Sequence, residues 1–165
     1  MTFHEGCLPF PTSDSGISEA AARKLRRAGE WVSVQLVVDL EVRIVFETSK
    51  AIEIRVFDAQ QRLVRHHRLL RLGGRMLQLD WMEEREYDDV LDAVVRSRSW
   101  RLFPTGEIFI GADDRQQSTS GEAVLERQDM TPFVTVAPEF GDYAALLDFR
   151  PQLPKPALRV RDTGM

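Results

Sequence analysis

The stretch Val32-Ser33-Val34-Gln35-Leu36-Val37-Val38-Asp39-Leu40-Glu41-Val42-Arg43-Ile44-Val45-Phe46-Glu47 decides the fold. Val32, Val34, Leu36, Val38, Leu40, Val42, Ile44 and Phe46 are apolar at even positions, while Ser33, Gln35, Asp39, Glu41, Arg43 and Glu47 are polar at odd ones. Strand side chains point alternately to opposite faces, so this period of two predicts strand with its even-numbered residues inward. Val37 and Val45 break the alternation, which predicts a bend or bulge within the run. Ile52, Ile54 and Val56 continue the even face. A turn with an odd number of residues at Thr48-Ser49-Lys50 would then pair Phe46 with Ile52 and Ile44 with Ile54.

Downstream, Asp58-Ala59-Gln60-Gln61 reads as a turn that places Val56 opposite Leu63. Gly73-Gly74 reads as a two-residue hairpin loop, because a type I′ turn needs positive φ at both positions. It pairs Leu72 with Arg75, Leu70 with Leu77 and Arg68 with Leu79, and sets His67 opposite Asp80. Leu63 enters this strand on the core face at an odd position, whereas Leu70 and Leu72 leave it at even ones, so a bulge is expected within Arg65-His66-His67-Arg68. From Glu83 to Arg96, Tyr87, Val90, Leu91, Val94 and Val95 recur at helical spacing, with acids early and arginines late. A second hairpin turns at Pro104-Thr105-Gly106 between Trp100, Leu102 and Ile108, Ile110. Residues 111–121 read as a polar mobile loop, 123–126 and 133–136 as short strands, and Tyr143 to Leu147 as a last short helix.

Upstream, Ser18 caps a helix through Glu19 to Ala28 that stops at Gly29, with the basic residues Arg23, Lys24, Arg26 and Arg27 on a solvated face. Residues 1–16 are a flexible N-terminal arm, 17–149 a single domain, and 150–165 a Pro-rich basic tail that is extended and solvated. The expected fold is α+β: a bent antiparallel β-meander of five or more strands, one main helix at about 83–96 packed across it, and short helices near each end. The helix, meander, helix, hairpin order resembles that of small acidic secretion chaperones in architecture alone, without a shared motif.

The 165 residues carry a formal net charge of −4, which argues against a duplex-DNA binder. Cys7 is the single cysteine, so no internal disulfide forms, and no stretch approaches the ~18 apolar residues of a membrane helix. The N-terminus lacks the basic and apolar regions of a secretory leader. A soluble cytoplasmic protein that does not enter membranes is expected.

Three places could carry chemistry. A carboxylate beside an imidazole fixes its tautomer, so His67 and Asp80 would form the orienting half of an acid–base site, with no nucleophile tied to them by spacing. Between Ala59 and Leu79 there is no acid, while Arg62, Arg65, Arg68, Arg71 and Arg75 are all there, beside His66 and His67. That hairpin could hold single-stranded nucleic acid or another anion; alternatively its arginines pair across strands with Glu41, Glu47 and Glu53. Glu84, Asp88 and Asp92 recur every four residues and would stack carboxylates on one helix face, a surface suited to protein docking. His4, Cys7, His66 and His67 could supply metal ligands only if adjacent histidines shared a face, which strand geometry opposes, so no metal and no cofactor is expected. These features favour a non-catalytic protein-binding module of adaptor, chaperone or toxin-neutralising type. Its binding residues would be Arg65, His66, His67, Arg68, Arg71, Arg75, Asp80, Glu84, Asp88 and Asp92. A small enzyme using His67 and Asp80, or a nucleic-acid or anion binder using Arg62 to Arg75, are the other readings.

Overall fold

The structure, a computed structural model, describes residues 2–5, 16–38, 41–155 and 159–160. In chain order it contains β1 (Thr2–Glu5), α1 (Glu19–Arg27), β2 (Val32–Val38), β3 (Glu41–Glu47), β4 (Ala51–Phe57), β5 (Leu63–Gly73) and β6 (Met76–Asp88). Then follow β7 (Ala93–Leu102), β8 (Ile108–Asp114), β9 (Thr119–Leu125), a 3-10 turn (Thr131–Phe133), β10 (Val134–Val136), α2 (Ala144–Leu147) and β11 (Arg159–Val160). The strands pair antiparallel in the order β1-β2-β3-β4-β5-β6-β7-β8-β9-β11, and β10 adds beside the start of β6. The antiparallel meander is therefore the frame of the molecule.

The decisive stretch is strand, but it is two strands. β2 and β3 form a hairpin across residues 39–40, which lie outside the described residues, with Val34 opposite Val45 and Val32 opposite Glu47. Directly opposed residues share a face, so this hairpin matches even positions of β2 to odd positions of β3. Val45, an exception to the expected parity, is thereby an inward core residue. The β3–β4 register repeats the switch: Val45 faces Ile54 and Glu47 faces Ile52, in place of the expected Phe46 with Ile52 and Ile44 with Ile54. Ile44 and Phe46 point the other way, and with Phe57, Trp31, Val42 and Leu63 they build a second apolar cluster on the outer face.

The expected helix at 83–96 is the β6–β7 hairpin. Asp88 Oδ1 accepts from the amides of Val90 (2.8 Å) and Leu91 (2.9 Å) and closes the turn, leaving those two side chains 91% and 74% exposed. Acids early and arginines late, which imitate helix-dipole complementarity, are in fact opposed across strands: Glu84 faces Arg98 and Glu86 faces Arg96. Without that helix the likeness to secretion chaperones has no structural counterpart. Among the described residues the α-helices are two short ones that flank the sheet: α1, capped by Ser18 Oγ on the Ala21 amide, and α2.

Other boundaries shift for local reasons. The Gly73-Gly74 corner exists, but Gly73 opposes Met76 and Arg71 opposes Leu77. The bulges fall at Val64 against β4 and at Asp80 and Leu72 in the β5–β6 pair, not within Arg65–Arg68. Leu63 faces Phe57, one place from the expected Val56. The Pro104-Thr105-Gly106 hairpin forms as expected, with Leu102 opposite Ile108 and Gly106 at φ +89°. Residues 111–121 are mostly strand, because β8 and β9 pair from Ile108–Leu125 to Asp114–Thr119. Part of the expected loose arm is β1 on β2; residues 6–15 lie outside the described set. The expected solvated tail docks at Pro154, whose carbonyl accepts from Trp100 Nε1 at 2.7 Å, and β11 pairs with β9.

The inner face curls around one core. Val32, Val34, Val45, Ile52, Ile54, Leu69, Leu79, Met82, Trp100, Leu102, Ile108 and Ile110 meet there, closed at one end by Ala22 of α1 and by Phe140, Tyr143, Leu146 and Leu147. Among the described residues no helix is long and apolar enough to cross a membrane.

Candidate functional site

Adjacent strand residues face opposite ways, and this divides the arginine hairpin into two populations. His67 points inward in the row Ile54, His67, Met82, Trp100, Ile110. It is 3% exposed and its Nε2 has no partner. Burial, assisted by the positive charges of Arg65 and Arg150, holds its pKa down to about 3, so the ring is neutral. His66 points outward: its Nε2 lies 3.2 Å from Glu53 Oε2 and its ring meets Trp81 edge to face at 4.5 Å. That hydrogen bond is the largest influence holding the Glu53 carboxyl below its usual range.

Asp80 does not meet His67, which faces Met82. As the bulged residue of β6, Asp80 turns to Arg68 on the outer face and accepts from its Nε at 3.1 Å and Nη2 at 2.7 Å. The expected imidazole–carboxylate pair is therefore not assembled: with Gly73 opposite Met76 the tight turn is Gly74-Arg75, which moves the register two places and sets Met82 against His67, while the Asp80 bulge turns the carboxylate to the outer face.

The remaining arginines of the hairpin are occupied. Arg62 ties two turns together, bonding Asp58 (2.8 Å) and Asp89 (2.9 Å), with Asp92 at 3.7 Å and the Tyr87 ring beneath it at 4.8 Å. Arg71 reaches Glu47 Oε1 at 2.5 Å. Arg75 lies 3.1 Å from Glu139 and donates to the Ala137 carbonyl. Cross-strand and cross-turn pairing thus accounts for Arg62, Arg68, Arg71 and Arg75. The stacked acids disperse as well: Glu84 is on the inner face, 4.0 Å from Arg65, while Asp88 and Asp92 belong to the β6–β7 turn. His4 is in β1 and Cys7 lies outside the described residues; among those described, no cluster of His, Cys, Asp and Glu could hold a metal ion.

Two features that the sequence reading missed are better formed. On the inner face, beyond the apolar core, sits a charged layer: Arg65 with Glu84, then Arg96 held between Glu86 (2.5 Å) and the buried Asp114 (2.8 Å). The Arg96 hydrogen bond is the main reason the Asp114 carboxyl lies below its usual range. Between this layer and residues 151–155 is a cavity of about 400 Å³ lined by Met82, Glu84, Arg98, Trp100, Leu153 and Lys155, among others. On the outer face, Trp81, Arg101, Phe109 and Val124 stand in one cross-strand row. They border a shallow groove of about 450 Å³ with Gly111 in its floor, where a Cβ would come within 3.0 Å of Ser99 Oγ.

No family model matches the chain, no curated protein is similar to it in sequence, and no solved structure matches its fold.

Proposed function

We propose that this chain is a non-catalytic protein-binding module that takes its partner on the outer face of β6–β9. The supporting observation is the row Trp81, Arg101, Phe109, Val124. Phe109 is 45% and Val124 52% exposed, and they oppose each other directly on neighbouring strands. Large apolar side chains standing in water next to an arginine have the composition of interface hot spots, where tryptophan, aromatic and arginine residues carry most of the binding energy. Arg101 lies over the Phe103 ring at 5.0 Å and has no carboxylate partner among the described residues, so it is available to a partner's acid. The groove suits a protein segment that seats an apolar side chain over Gly111 and sets a carboxylate against Arg101.

The docking residues of this reading differ from those expected from sequence, because Arg62, Arg68, Arg71 and Arg75 already pair with carboxylates of neighbouring strands and turns. Binding of single-stranded nucleic acid draws less support for the same reason: a phosphate would have to displace a carboxylate from Arg62, Arg68 or Arg71.

The test is site-specific photo-crosslinking in native extract, with a photoreactive phenylalanine analogue at Phe109 and, as control, at the more exposed Val90 in the β6–β7 turn. A defined protein adduct at 109, absent at 90 and lost on Arg101→Glu, is expected. Equal adducts at both positions, or none at 109, would overturn the reading.

A further inference from the structure

We propose that the inner cavity beneath residues 151–155 binds a small organic monoanion, a carboxylate carried on an apolar body. This inference is independent of the outer-face reading.

The cavity, at about 400 Å³, falls within the ~300–1,000 Å³ range of small-molecule sites. Its walls combine an apolar part with a few polar groups, as such sites do. Met82, Trp100, Pro151 and Leu153 supply the apolar part. Trp100 is 3% exposed and its Nε1 is already committed to the Pro154 carbonyl, so toward a ligand the indole offers apolar surface and not a donor. That same hydrogen bond fixes the 151–155 segment across the cavity.

The polar part is unbalanced, and this points to the ligand. The other arginines of the inner layer are matched: Arg65 by Glu84 and Arg96 by Glu86 and Asp114. Arg98, opposite Glu84 in register and only partly exposed, has no hydrogen-bond or ion-pair partner among the described residues. A guanidinium withdrawn from bulk water without a carboxylate gains most from an anion brought to it, and its planar fork matches a carboxylate in bidentate fashion. Lys155 stands at the same cavity as a second cation, and Glu84 as the one carboxylate. Two cations and one acid leave the lining with a single positive charge, which suits a monoanion and disfavours a phosphate dianion. His67, opposite Met82 in register, is buried and neutral, so it adds no charge beside the cavity.

The experiment is isothermal titration of the full chain with octanoate, octanol and inorganic phosphate, in parallel with Arg98→Gln and, as an outer-face control, Arg101→Ala. Octanoate is expected to bind with one-to-one stoichiometry and to lose about tenfold or more in affinity in Arg98→Gln, the loss of a charge-assisted pair. Arg101→Ala should bind it as the unaltered chain does, and phosphate should not bind. Far-UV circular dichroism of Arg98→Gln should be unchanged, since no partner loses its contact, and Lys155→Ala at the cavity edge gives a second, milder variant. Absence of octanoate binding, equal affinity for octanol or phosphate, or indifference to both cavity variants would each overturn the proposal. An unchanged crosslink at Phe109 in Arg98→Gln keeps its failure separate from that of the outer-face reading.

Discussion

Tyr143 Oη donates a 2.5 Å hydrogen bond to Glu47 Oε2, although 96 positions separate them in the chain. Each is 1% exposed. Arg71 Nη2 reaches Glu47 Oε1 at 2.5 Å, and Arg26 Nε lies 2.7 Å from the same oxygen, off the line of a hydrogen bond. Burial first, and then the Glu47 charge, raise the Tyr143 pKa well above the ordinary phenol, so the hydroxyl stays a donor. One carboxylate thus joins β3, β5, α1 and the segment before α2. Removing it strands two arginines: Glu47→Gln should destabilise by about 3–5 kcal/mol, and Tyr143→Phe by about 1.5–3 kcal/mol. Urea denaturation measures both, and sub-kilocalorie losses in each would contradict this arrangement.

Asp80 provides the contrast. Its partner Arg68 is 41% exposed, so water already solvates the pair. Asp80→Asn is expected to cost less than about 1 kcal/mol in the same urea assay. A loss as large as that of Glu47→Gln would mean that Asp80 supports something other than Arg68.

Stability should fall on acidification through a single inward imidazole. The unfolded His67 takes up a proton near 6.5, whereas the folded one resists until about 3, so the unfolded state binds more protons in between. Stability contributed by the neutral ring is complete above pH 6.5 and is lost progressively below it, by up to about 1.4 kcal/mol per pH unit. Glu53 and Asp114, whose values are lowered, act only beneath their ordinary 4.5 and 3.8. His67→Leu should therefore flatten the stability profile between about pH 6.5 and 5; an unaltered slope would assign it to other groups.

Two glycines with positive φ should respond differently to alanine. At Gly106, φ +89°, a Cβ would meet the Gln128 carbonyl oxygen at 2.8 Å and its amide nitrogen at 3.1 Å, both backbone atoms that cannot swing aside. At Gly74, φ +55°, nothing lies within 4 Å. Gly106→Ala is expected to cost about 2 kcal/mol or more and Gly74→Ala about 1 kcal/mol, read from thermal unfolding. The reverse order would displace the contact with Gln128.

The β6–β7 turn can be tested through its two exposed apolar residues. Val90→Lys with Leu91→Lys should change stability by no more than about 0.5 kcal/mol per site, whereas a helix with these residues on its buried stripe would collapse. Asp88→Ala removes the acceptor for both amides and should cost about 1 kcal/mol.

Pairing was legible at Trp100 to Ile110, where apolar and polar residues alternate and a proline and a glycine mark the turn. The reading failed where residues of one kind serve both purposes. Val45 looked like an error in the pattern because the β2–β3 hairpin exchanges parity, and no glycine or proline within Val32 to Glu47 marks that reversal. Tyr87, Val90, Leu91, Val94 and Val95 matched helical spacing by coincidence of a strand end, a turn and a strand start. Glu84, Arg96, Arg98 and Asp114 point inward although charged, so the rule that places polar residues outside hid the cavity layer. Glu47 was legible as a cross-strand partner of the hairpin arginines, and Arg71 takes it, but Arg26 and Tyr143 reach it from distant parts of the sequence that no local pattern connects.

Neighbour-to-neighbour pairing has a temporal consequence. Each hairpin from β2 to β9 needs only chain that has just left the ribosome, so the wall can assemble during synthesis. Glu47 is made early but meets Tyr143 late. Until then, an acid destined for burial must remain hydrated at an unsealed end, which makes arrival of the C-terminal fifth the step that commits the molecule to its dry interior.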